Sequence, residues 1–392
     1  MGINAEEGGM ELEFTYPDKP SAELNSSLLV FRLLSNPLLV NISSKATMLA
    51  FKLGMPISFA IKHTIFKHFC GGETLNESIR VIEKLGRDKI STTLDYSAES
   101  EDSARFFEKT KTEIVNAIDF VKENALVKSL AIKPTGLASY GLLVKKSNLH
   151  ELSPKENEQF SLAVDRIDQI CKAGFKRDIE VYIDAEESVT QNALDEISIG
   201  MMKKYNQKKA VVYITLQMYT KDRISFLKDL IANAKSDHYF LGVKLVRGAY
   251  WEKESKRGSH KEDKCVVFLK KEDTDAAFNS ALDICMKNLD VVFICNATHN
   301  EKSSMHLALA MRKMSLPNNC QSIKFSQLYG MSDHVSYSLA KGGYNVSKYL
   351  PYGTIKQVIP YLIRRAEENT AISGQMSREV HLIKQAIKQK NE

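Results

Sequence analysis

Short apolar runs alternate with longer amphipathic segments from about residue 90 to about residue 370 of the chain. Eight of these runs have the length and the β-branched or aromatic content of buried strands. The predicted strands are Ser91–Tyr96, Ser129–Lys133, Val181–Asp184, Val211–Gln217, Val243–Val246, Val291–Cys295, Ser322–Phe325 and Val346–Tyr349. Because helix-like segments separate these runs, the pattern predicts a parallel α/β fold.

The segments between the strands have the periodicity of helices that bury one face. They are Ala104–Lys122, Glu158–Ala173, Val189–Lys204, Ser225–Lys235, Asp275–Lys287, Lys302–Lys313 and Met331–Leu339. Eight strand–helix repeats are the number that closes a barrel, so we predict a TIM-like (β/α)8 barrel over residues 91–372. A doubly wound open sheet is the alternative, but no GxGxxG motif follows the first predicted strand.

Outside the barrel, the pattern predicts a disordered N-terminus over residues 1–22, a helical arm over 23–90 and a C-terminal helical tail over 373–392. The arm is rich in large apolar residues and has no Asp or Glu between Glu23 and Glu73. Five basic residues lie in that interval: Arg32, Lys45, Lys52, Lys62 and Lys67. Such a composition is typical of surfaces that contact anionic lipid, so residues 24–72 are a candidate for peripheral membrane contact. The alternative is an arm that packs on its own domain.

The composition is that of a globular protein with a substantial core, with 43% hydrophobic residues and a net charge of +6. This charge is modest, and no zinc-finger spacing or long Lys/Arg block occurs, so we expect no nucleic-acid partner. None of the six cysteines stands in a CxxC pair, which favours a reducing cytoplasmic compartment and no metal centre. The first residues lack the features of a signal or transit peptide, and no apolar run is long enough to span a membrane.

A candidate binding surface lies on the last predicted barrel helix, which follows the eighth predicted strand. Tyr361, Arg364, Arg365 and Glu368 stand at i, i+3, i+4 and i+7, so they share one face. The opposite face is apolar and consists of Ile355, Val358, Ile359, Leu362 and Ala366. Two adjacent guanidinium groups suit a planar carboxylate or a phosphate. The alternative is a solvated helix face with an Arg–Glu pair.

Polar residues occupy the carboxyl ends of the predicted strands, where the chemistry of a barrel is located. These residues are Asp95, Glu99, Lys133, Asp184, Glu186, Gln217, Arg247, Gly248, Thr298, His299, Gln327 and Tyr349. The barrel interpretation predicts that all of them converge on one mouth beneath the arginine helix. For any single buried Lys or Asp among them, a structural ion pair is the alternative.

The motifs at these strand ends resemble the proline dehydrogenase family. The most specific are GVKLVRGAYWEKE at 242–254, YLPYG at 349–353 and YLIRRAEEN at 361–369. The blocks LDYSAE, YIDAEES, ATHN and FSQLYGM fit in the same order, at 94–99, 182–188, 297–300 and 325–331. The resemblance runs from about residue 70 to about residue 375, and FSQLYGM is closer to the eukaryotic-type branch. The chain leaves no room for the fused aldehyde dehydrogenase of the large bacterial proteins, so we expect a monofunctional enzyme.

The resemblance implies a flavoenzyme. Its fold would be an FAD-binding barrel with the last helix over the mouth. Its reaction would be the oxidation of L-proline to Δ1-pyrroline-5-carboxylate, the first step of proline catabolism. The electrons would pass from FAD to a membrane quinone. The expected location is the cytoplasm, at the inner face of the membrane in a bacterium, or the mitochondrial inner membrane in a eukaryote.

The resemblance also implies roles for individual residues. Arg364 and Arg365 would hold the proline carboxylate, and Glu99 would pair with Arg364 as a gate when substrate is absent. The other substrate neighbours would be Lys133, Asp184, Tyr349 and Tyr361. The cofactor would contact Ala185, Gln217, Arg247, Gly248, Ala249, Thr298 and His299. Lys244 stands where several bacterial relatives have an arginine, and a cation there favours negative charge on the reduced flavin, so Asp184 and Lys244 are the candidate catalytic pair.

Three questions stay open at this point. The base for the substrate amine is Asp184, Glu368 or bulk water. The substrate is proline or 4-hydroxyproline, and Tyr349 favours proline because hydroxyproline relatives have a smaller residue at this position. The third alternative is a protein of another class, either an anion-binding barrel without flavin or a basic scaffold protein.

Overall fold

The computed structural model describes residues 16–17, 19–34, 46, 53, 58–97, 101–122, 124–258, 265–371 and 373–391. Eight parallel strands form a closed barrel, and each strand pairs with its neighbours in the sequence. The strands are β1 Ile90–Tyr96, β2 Val127–Ile132, β3 Glu180–Ile183, β4 Val212–Gln217, β5 Leu241–Val246, β6 Val292–Ala297, β7 Ile323–Leu328 and β8 Val346–Tyr352. The predicted (β/α)8 barrel is confirmed, and the open-sheet alternative is wrong because β1 pairs with β8 from Ile90–Val346 to Tyr96–Tyr352.

The helices are α1 Ser21–Leu34, α2 Leu75–Arg87, α3 Ala104–Lys122, α4 Tyr140–Ser147, α5 Pro154–Arg177, α6 Gln191–Tyr205, α7 Arg223–Ser236, α8 Trp251–Gly258, α9 Lys271–Met286, α10 Glu301–Lys313, α11 Asp333–Lys341, α12 Ile355–Ala371 and α13 Ser373–Asn391. The seven helices predicted between the strands are present at the predicted places, whereas α4 and α8 were not predicted. Local signals place several ends. A capping box of Ser153 and Glu156 begins α5, for example, and satisfies two backbone N–H groups. Helix α11 begins two residues later than predicted because Ser332 has a left-handed backbone conformation.

Alternation along each strand separates two layers of packing. On β3, Val181 and Ile183 join the large core between the strands and the helices. Tyr182, between them, joins a second cluster with Tyr213 and Tyr349 inside the barrel. The barrel interior also holds polar side chains, and buried hydroxyl groups link four strands through hydrogen bonds. These are Ser129 to Thr93 at 2.7 Å, Thr93 to Ser347 at 3.3 Å and Ser347 to Ser326 at 3.1 Å. The interior is therefore filled, and open space is left at the mouth.

The N-terminal arm packs on the outside of the barrel mouth, together with α12 and α13. Helix α1 buries Leu24 and Phe31 in a cluster with Phe66, Val358 and other apolar side chains. The helical segment that contains Phe66 runs from Ser58 to Phe69 and includes a π-helical turn. The packing alternative for the arm thus holds for its buried phenylalanines. Lys45, Phe51 and Lys52 lie outside the described residues.

The segment 1–22 was predicted to be disordered, and most of it lies outside the described residues. Helix α1 begins within this segment, at Ser21, and the burial of its Leu24 anchors the first turn. Lys19 forms an ion pair with Asp333, which also orders the chain ahead of α1. None of the described helices is both long and apolar enough to cross a bilayer.

Candidate active site

The carboxyl ends of the strands and helix α12 enclose a cavity of about 220 Å³. Every predicted site residue that the structure describes lines it: Lys133, Asp184, Ala185, Gln217, Lys244, Arg247, Gly248, Ala249, Thr298, His299, Tyr349, Tyr361, Arg364 and Arg365. The predicted convergence on one mouth therefore holds for these residues. Glu99, and with it the proposed gate to Arg364, lies outside the described residues, as does the side chain of Glu368.

Asp184, Lys244 and Tyr349 form a largely buried hydrogen-bonded group on the floor of the cavity. The Lys244 ammonium donates to Asp184 Oδ1 at 2.6 Å, and the Tyr349 hydroxyl donates to Asp184 Oδ2 at 2.8 Å. The ammonium also lies 4.8 Å from the centre of the Tyr349 ring. Burial, and then the nearby Asp184 carboxylate, raise the pKa of Tyr349 well above its usual value, so its hydroxyl stays protonated. Both Asp184 oxygens thus already accept a hydrogen bond.

Lys133 is held by a carboxylate of the neighbouring strand. Its ammonium lies 2.9 Å from both oxygens of Asp95 and 3.5 Å from the Tyr349 hydroxyl. Asp95 is fully buried and also accepts a hydrogen bond from Ser97 at 2.5 Å. The sequence shows Asp95 as a polar strand end, but its function as the partner of Lys133 follows only from the three-dimensional structure.

Helix α12 lies over the barrel mouth and brings Arg364 and Arg365 to the cavity, facing the strand ends. The Arg365 side chain is buried, and its guanidinium lies 5.1 Å from the centre of the Tyr361 ring. The Arg364 guanidinium lies 5.7 Å from the Tyr250 ring. Tyr250 also lines the cavity; its sequence signal was its place in the GAYW motif. The cavity is lined by six Lys or Arg side chains and two carboxylates, which favours an anionic ligand.

Arg247 organises the far end of the cavity. Its guanidinium donates to Asp275 at 2.6 Å, to the Thr298 hydroxyl at 2.6 Å and to the Ser303 hydroxyl at 2.9 Å. It also lies 4.5 Å from the Phe278 ring, and burial lowers its pKa. Arg247 therefore fixes the Thr298 side chain at the cavity wall, beside the backbone of the 297–300 turn.

Backbone and amide groups line the wall between β4 and β6. Gln217 donates to the Glu186 carbonyl at 2.7 Å, and its own oxygen accepts from the Ala249 N–H at 3.3 Å. Gly248 has φ +133°, and a Cβ at this position would lie 2.5 Å from the ring of Tyr219. Only glycine tolerates both the backbone conformation and this close approach. The bend after β5 thus exposes backbone at the cavity.

Thr215 is a lining residue that carried no specific sequence signal. Its hydroxyl is buried with no hydrogen-bond partner among the described residues. An isolated Thr or Ser within an apolar strand has no pattern that marks it as a ligand. The inward alternation of β4, counted back from Gln217, could have identified Thr215.

Comparisons with known proteins support the family resemblance that the sequence motifs indicate. A family model described as proline dehydrogenase matches residues 78–378. The carbapenem biosynthesis protein CarD of Pectobacterium carotovorum is 34% identical over 81% of this chain and 82% of its own length. Mitochondrial proline dehydrogenase 1 of Dictyostelium discoideum is 29% identical over 96% and 74%, and hydroxyproline dehydrogenase of Xenopus laevis is 30% identical over 95% and 88%.

Solved structures share the fold. Proline utilization A of Bdellovibrio bacteriovorus superposes with a TM-score of 0.70 at 22% identity, over 79% of this chain and 33% of that longer chain. The Bradyrhizobium japonicum protein gives 0.67 at 20% identity, over 82% and 33%. The chain thus spans about a third of the length of these structural neighbours. The barrel, the order of its motifs and the family match together show that the chain belongs to the proline dehydrogenase family, whose members are oxidoreductases acting on CH–NH donors.

Proposed function

We propose that this chain oxidises L-proline to Δ1-pyrroline-5-carboxylate with FAD bound in the barrel mouth. The observation that carries the proposal is the position of Arg364 and Arg365, which line the same cavity as the hydrogen-bonded Asp184–Lys244–Tyr349 group. Proline is a small rigid ring with a carboxylate on one side. A pair of arginines that binds the carboxylate therefore orients the rest of the ring.

The residues at the other end of the cavity fit a flavin nucleotide. The Thr215 hydroxyl needs a hydrogen-bond partner, Gly248 allows close approach of a ligand to the backbone, and Arg247 places positive charge at the wall. These three residues would hold the cofactor together with Ala185, Gln217, Ala249, Thr298 and His299. The chemistry that bound FAD would supply is the acceptance of a hydride from the ring carbon next to the substrate nitrogen.

The residues around the substrate bind it and control its charge. Lys133, Lys244 and the two arginines of α12 favour the negative charge of the substrate carboxylate. They disfavour a positive charge on the substrate amine. The neutral amine is therefore the form that the pocket selects. Because both oxygens of Asp184 accept hydrogen bonds from Lys244 and Tyr349, we assign the uptake of the amine proton to bulk water.

Oxidation of 4-hydroxyproline is a second candidate, favoured by the 30% identity to the Xenopus laevis enzyme. The position of Tyr349 argues for proline. Its ring is buried at the cavity, and its hydroxyl is fixed on Asp184 at 2.8 Å. A hydroxyl group on the substrate ring would have to displace this contact.

The electron acceptor proposed for this reaction is a quinone in a membrane, reached by reversible docking of residues 24–72 on anionic lipid. The arm exposes Leu29, Leu33 and Phe59, with Phe59 75% exposed. The segment between Glu23 and Glu73 contains basic residues and no acidic ones. Exposed apolar groups beside positive charge suit an anionic bilayer surface.

A substrate screen tests the proposed activity. Purified protein that is supplied with FAD and then freed of unbound FAD should be yellow. It should reduce an artificial electron acceptor with L-proline, more slowly with 4-hydroxyproline, and not with substrates of NAD-linked dehydrogenases. A protein that stays colourless after addition of FAD would overturn the proposal and favour an anion-binding barrel or scaffold. Faster turnover of 4-hydroxyproline than of L-proline would make 4-hydroxyproline the assigned substrate.

A further inference from the structure

The loop between β7 and α11 lies behind the cavity and places a serine hydroxyl on His299. Ser332 Oγ is 3.0 Å from His299 Nδ1. Ser332 has φ +49° and ψ 44°, a left-handed conformation that is uncommon for non-glycine residues. Contacts from two other elements hold the loop in this conformation.

Buried charged groups hold the loop from two sides. Lys348 on β8 is fully buried, and its ammonium donates to the Met331 carbonyl at 2.5 Å and to Asp333 Oδ1 at 2.8 Å. The backbone N–H of Ser332 donates to Glu379 Oε2 of α13 at 3.2 Å. Each contact would leave a buried group unsatisfied if the loop moved, which is costly. The position of the Ser332 hydroxyl is therefore well defined.

The hydrogen bond between Ser332 and His299 has a preferred direction. A hydroxyl can donate one proton, and among the described residues His299 Nδ1 is the only hydrogen-bond partner of Ser332 Oγ. If the ring donated instead, the hydroxyl proton would have no acceptor in this buried place. Ser332 therefore donates to Nδ1, and the ring proton resides on Nε2.

The direction of the Ser332–His299 hydrogen bond sets the tautomer of His299, because the ring is neutral. Burial, and then the positive charge of Lys348 and Arg365, lower the pKa of His299 to about 3. The ring is thus neutral at physiological pH and has a single N–H. One tautomer offers a hydrogen-bond donor at Nε2, and the other offers a lone pair there.

We propose that Ser332 is a positioning residue that locks His299 in the Nε2–H tautomer, so that the ring donates to the anionic tail of the cofactor. This inference rests on the proposed function, because it requires the cavity to bind FAD. His299 lines the cavity together with Arg247 and Thr298. A lone pair on Nε2 would repel the pyrophosphate of FAD, whereas an N–H binds it.

Two substitutions separate the hydroxyl from the loop conformation. Ser332→Ala and Ser332→Gly both remove the donor, and glycine accepts the left-handed backbone more readily than serine does. We expect both variants to bind FAD at least about tenfold more weakly, equivalent to about 1.4 kcal/mol. FAD binding is measured by titrating cofactor-free protein and following flavin fluorescence. Ser304→Ala, which removes another fully buried hydroxyl, is the matched control and should bind FAD as the wild type does.

The tautomer gives a readout that does not depend on turnover. Nitrogen NMR of histidine-labelled protein should show the Nε2–H form for His299, identified as the signal missing from His299→Gln, and a changed pattern in both Ser332 variants. Tight FAD binding by both variants, loss of binding in the alanine variant alone, or an Nδ1–H ring in the wild type would each overturn the inference. A wild type that binds no FAD and oxidises no proline would instead overturn the proposed function, and the NMR result would still decide the Ser332–His299 hydrogen bond.

Discussion

Asp184 shows how hydrogen bonding sets the role of one side chain. Its two oxygens bind the Lys244 ammonium and the Tyr349 hydroxyl at 2.6 and 2.8 Å. A carboxylate that is so engaged orients its partners, since taking up a proton would weaken both contacts. Asp184 therefore fixes the ammonium of Lys244 and the ring of Tyr349 at the cavity, and this orientation is its contribution.

Arg365 provides the most direct test of the carboxylate site. We expect Arg365→Met to cost about 2–5 kcal/mol of transition-state binding, because a desolvated carboxylate loses a charge-assisted partner. Steady-state kinetics with L-proline should show most of this loss as a higher KM. Arg105→Met, at an exposed position of α3, is the control and should keep wild-type kinetics. Unchanged constants for the Arg365 variant would contradict the assignment.

Tyr349 tests the choice between two substrates. Tyr349→Ser removes the ring from the cavity wall, so activity on proline should fall and the ratio of kcat/KM values should shift toward 4-hydroxyproline. Tyr349→Phe keeps the ring and removes only the hydroxyl that binds Asp184. The phenylalanine variant should therefore still prefer proline. Equal ratios in the serine variant and the wild type would show that Tyr349 does not limit the space for the substrate ring.

The elements that follow β3 and β5 are linked above the cavity. Glu254 of α8 is buried, and its carboxylate accepts hydrogen bonds from the N–H and the hydroxyl of Ser188 at 2.8 and 2.6 Å. Arg257 binds Glu254 at 3.0 Å and Glu187 at 2.6 Å. These contacts hold the short helix α8 against the turn that carries the Asp184–Glu186 segment. The chain between β5 and α8 must then bend sharply, and Gly248 provides the bend.

Gly248→Ala should disturb this bend. The new methyl group would clash with the Tyr219 ring and strain a backbone with φ +133°. We expect a loss of roughly 1–3 kcal/mol in the free energy of unfolding, together with weaker FAD binding. Gly200→Ala in α6 is the matched control, because nothing lies within 4 Å of its new Cβ. That control should gain about 0.5–1 kcal/mol through helix propensity. Urea denaturation measures both, and equal stability of the two variants would contradict the clash.

The molecule has a second core that joins its two ends to the barrel. Leu24 and Phe31 of α1 pack with Phe69 and with Ile383 of α13, and α12 lies in the same cluster. The arm also contacts the loop between β7 and α11, because the His68 ring nitrogen Nε2 lies 2.9 Å from the Gly330 carbonyl. The arm and the C-terminal helix thus hold α12, with its two arginines, over the mouth.

This second core should make the protein sensitive to acid. Burial lowers the pKa of His68 to about 4, below its unfolded value of about 6.5. The stability from neutral His68 is full above about pH 6.5 and is lost as the pH falls toward 4, by about 2 kcal/mol at about pH 5. His68→Gln keeps an N–H for the Gly330 carbonyl but cannot titrate there. Its unfolding free energy should fall less between about pH 7.5 and about pH 5 than that of the wild type. Parallel pH profiles would contradict this assignment.

Vesicle co-sedimentation tests the membrane proposal. The triple variant Leu29→Gln, Leu33→Gln and Phe59→Gln should bind anionic vesicles less than the wild type does, while its activity with a soluble acceptor is kept. Leu149→Gln with Phe175→Gln removes exposed apolar groups elsewhere and should leave binding unchanged. Binding of the wild type should fall with added salt, since charge contributes to it. Equal binding by the wild type and the triple variant, or no binding by either, would make the arm purely structural.

Local patterns in the chain were sufficient for the barrel and for most of the candidate site. Strand periodicity and the alternation of strands with helices are properties of short segments, so all eight strands could be predicted within a few residues. In a parallel barrel, strand ends share one face. Once the barrel was assigned, the polar strand ends had to meet at one mouth, and residues such as Lys133, Gln217 and Thr298 could be named.

Contacts between distant residues could not be predicted in this way. Lys348 is a lysine among apolar neighbours on β8, and nothing in its surroundings in the sequence shows that it is fully buried against Asp333. Asp95 becomes the partner of Lys133 only when β1 and β2 lie side by side. Ser332 becomes the partner of His299 only when β6 and β7 do so. The burial of Phe31 in the arm likewise depends on α13, which lies more than three hundred residues away in the chain. Such contacts depend on how closing the barrel brings separate segments together, and no local pattern encodes that geometry.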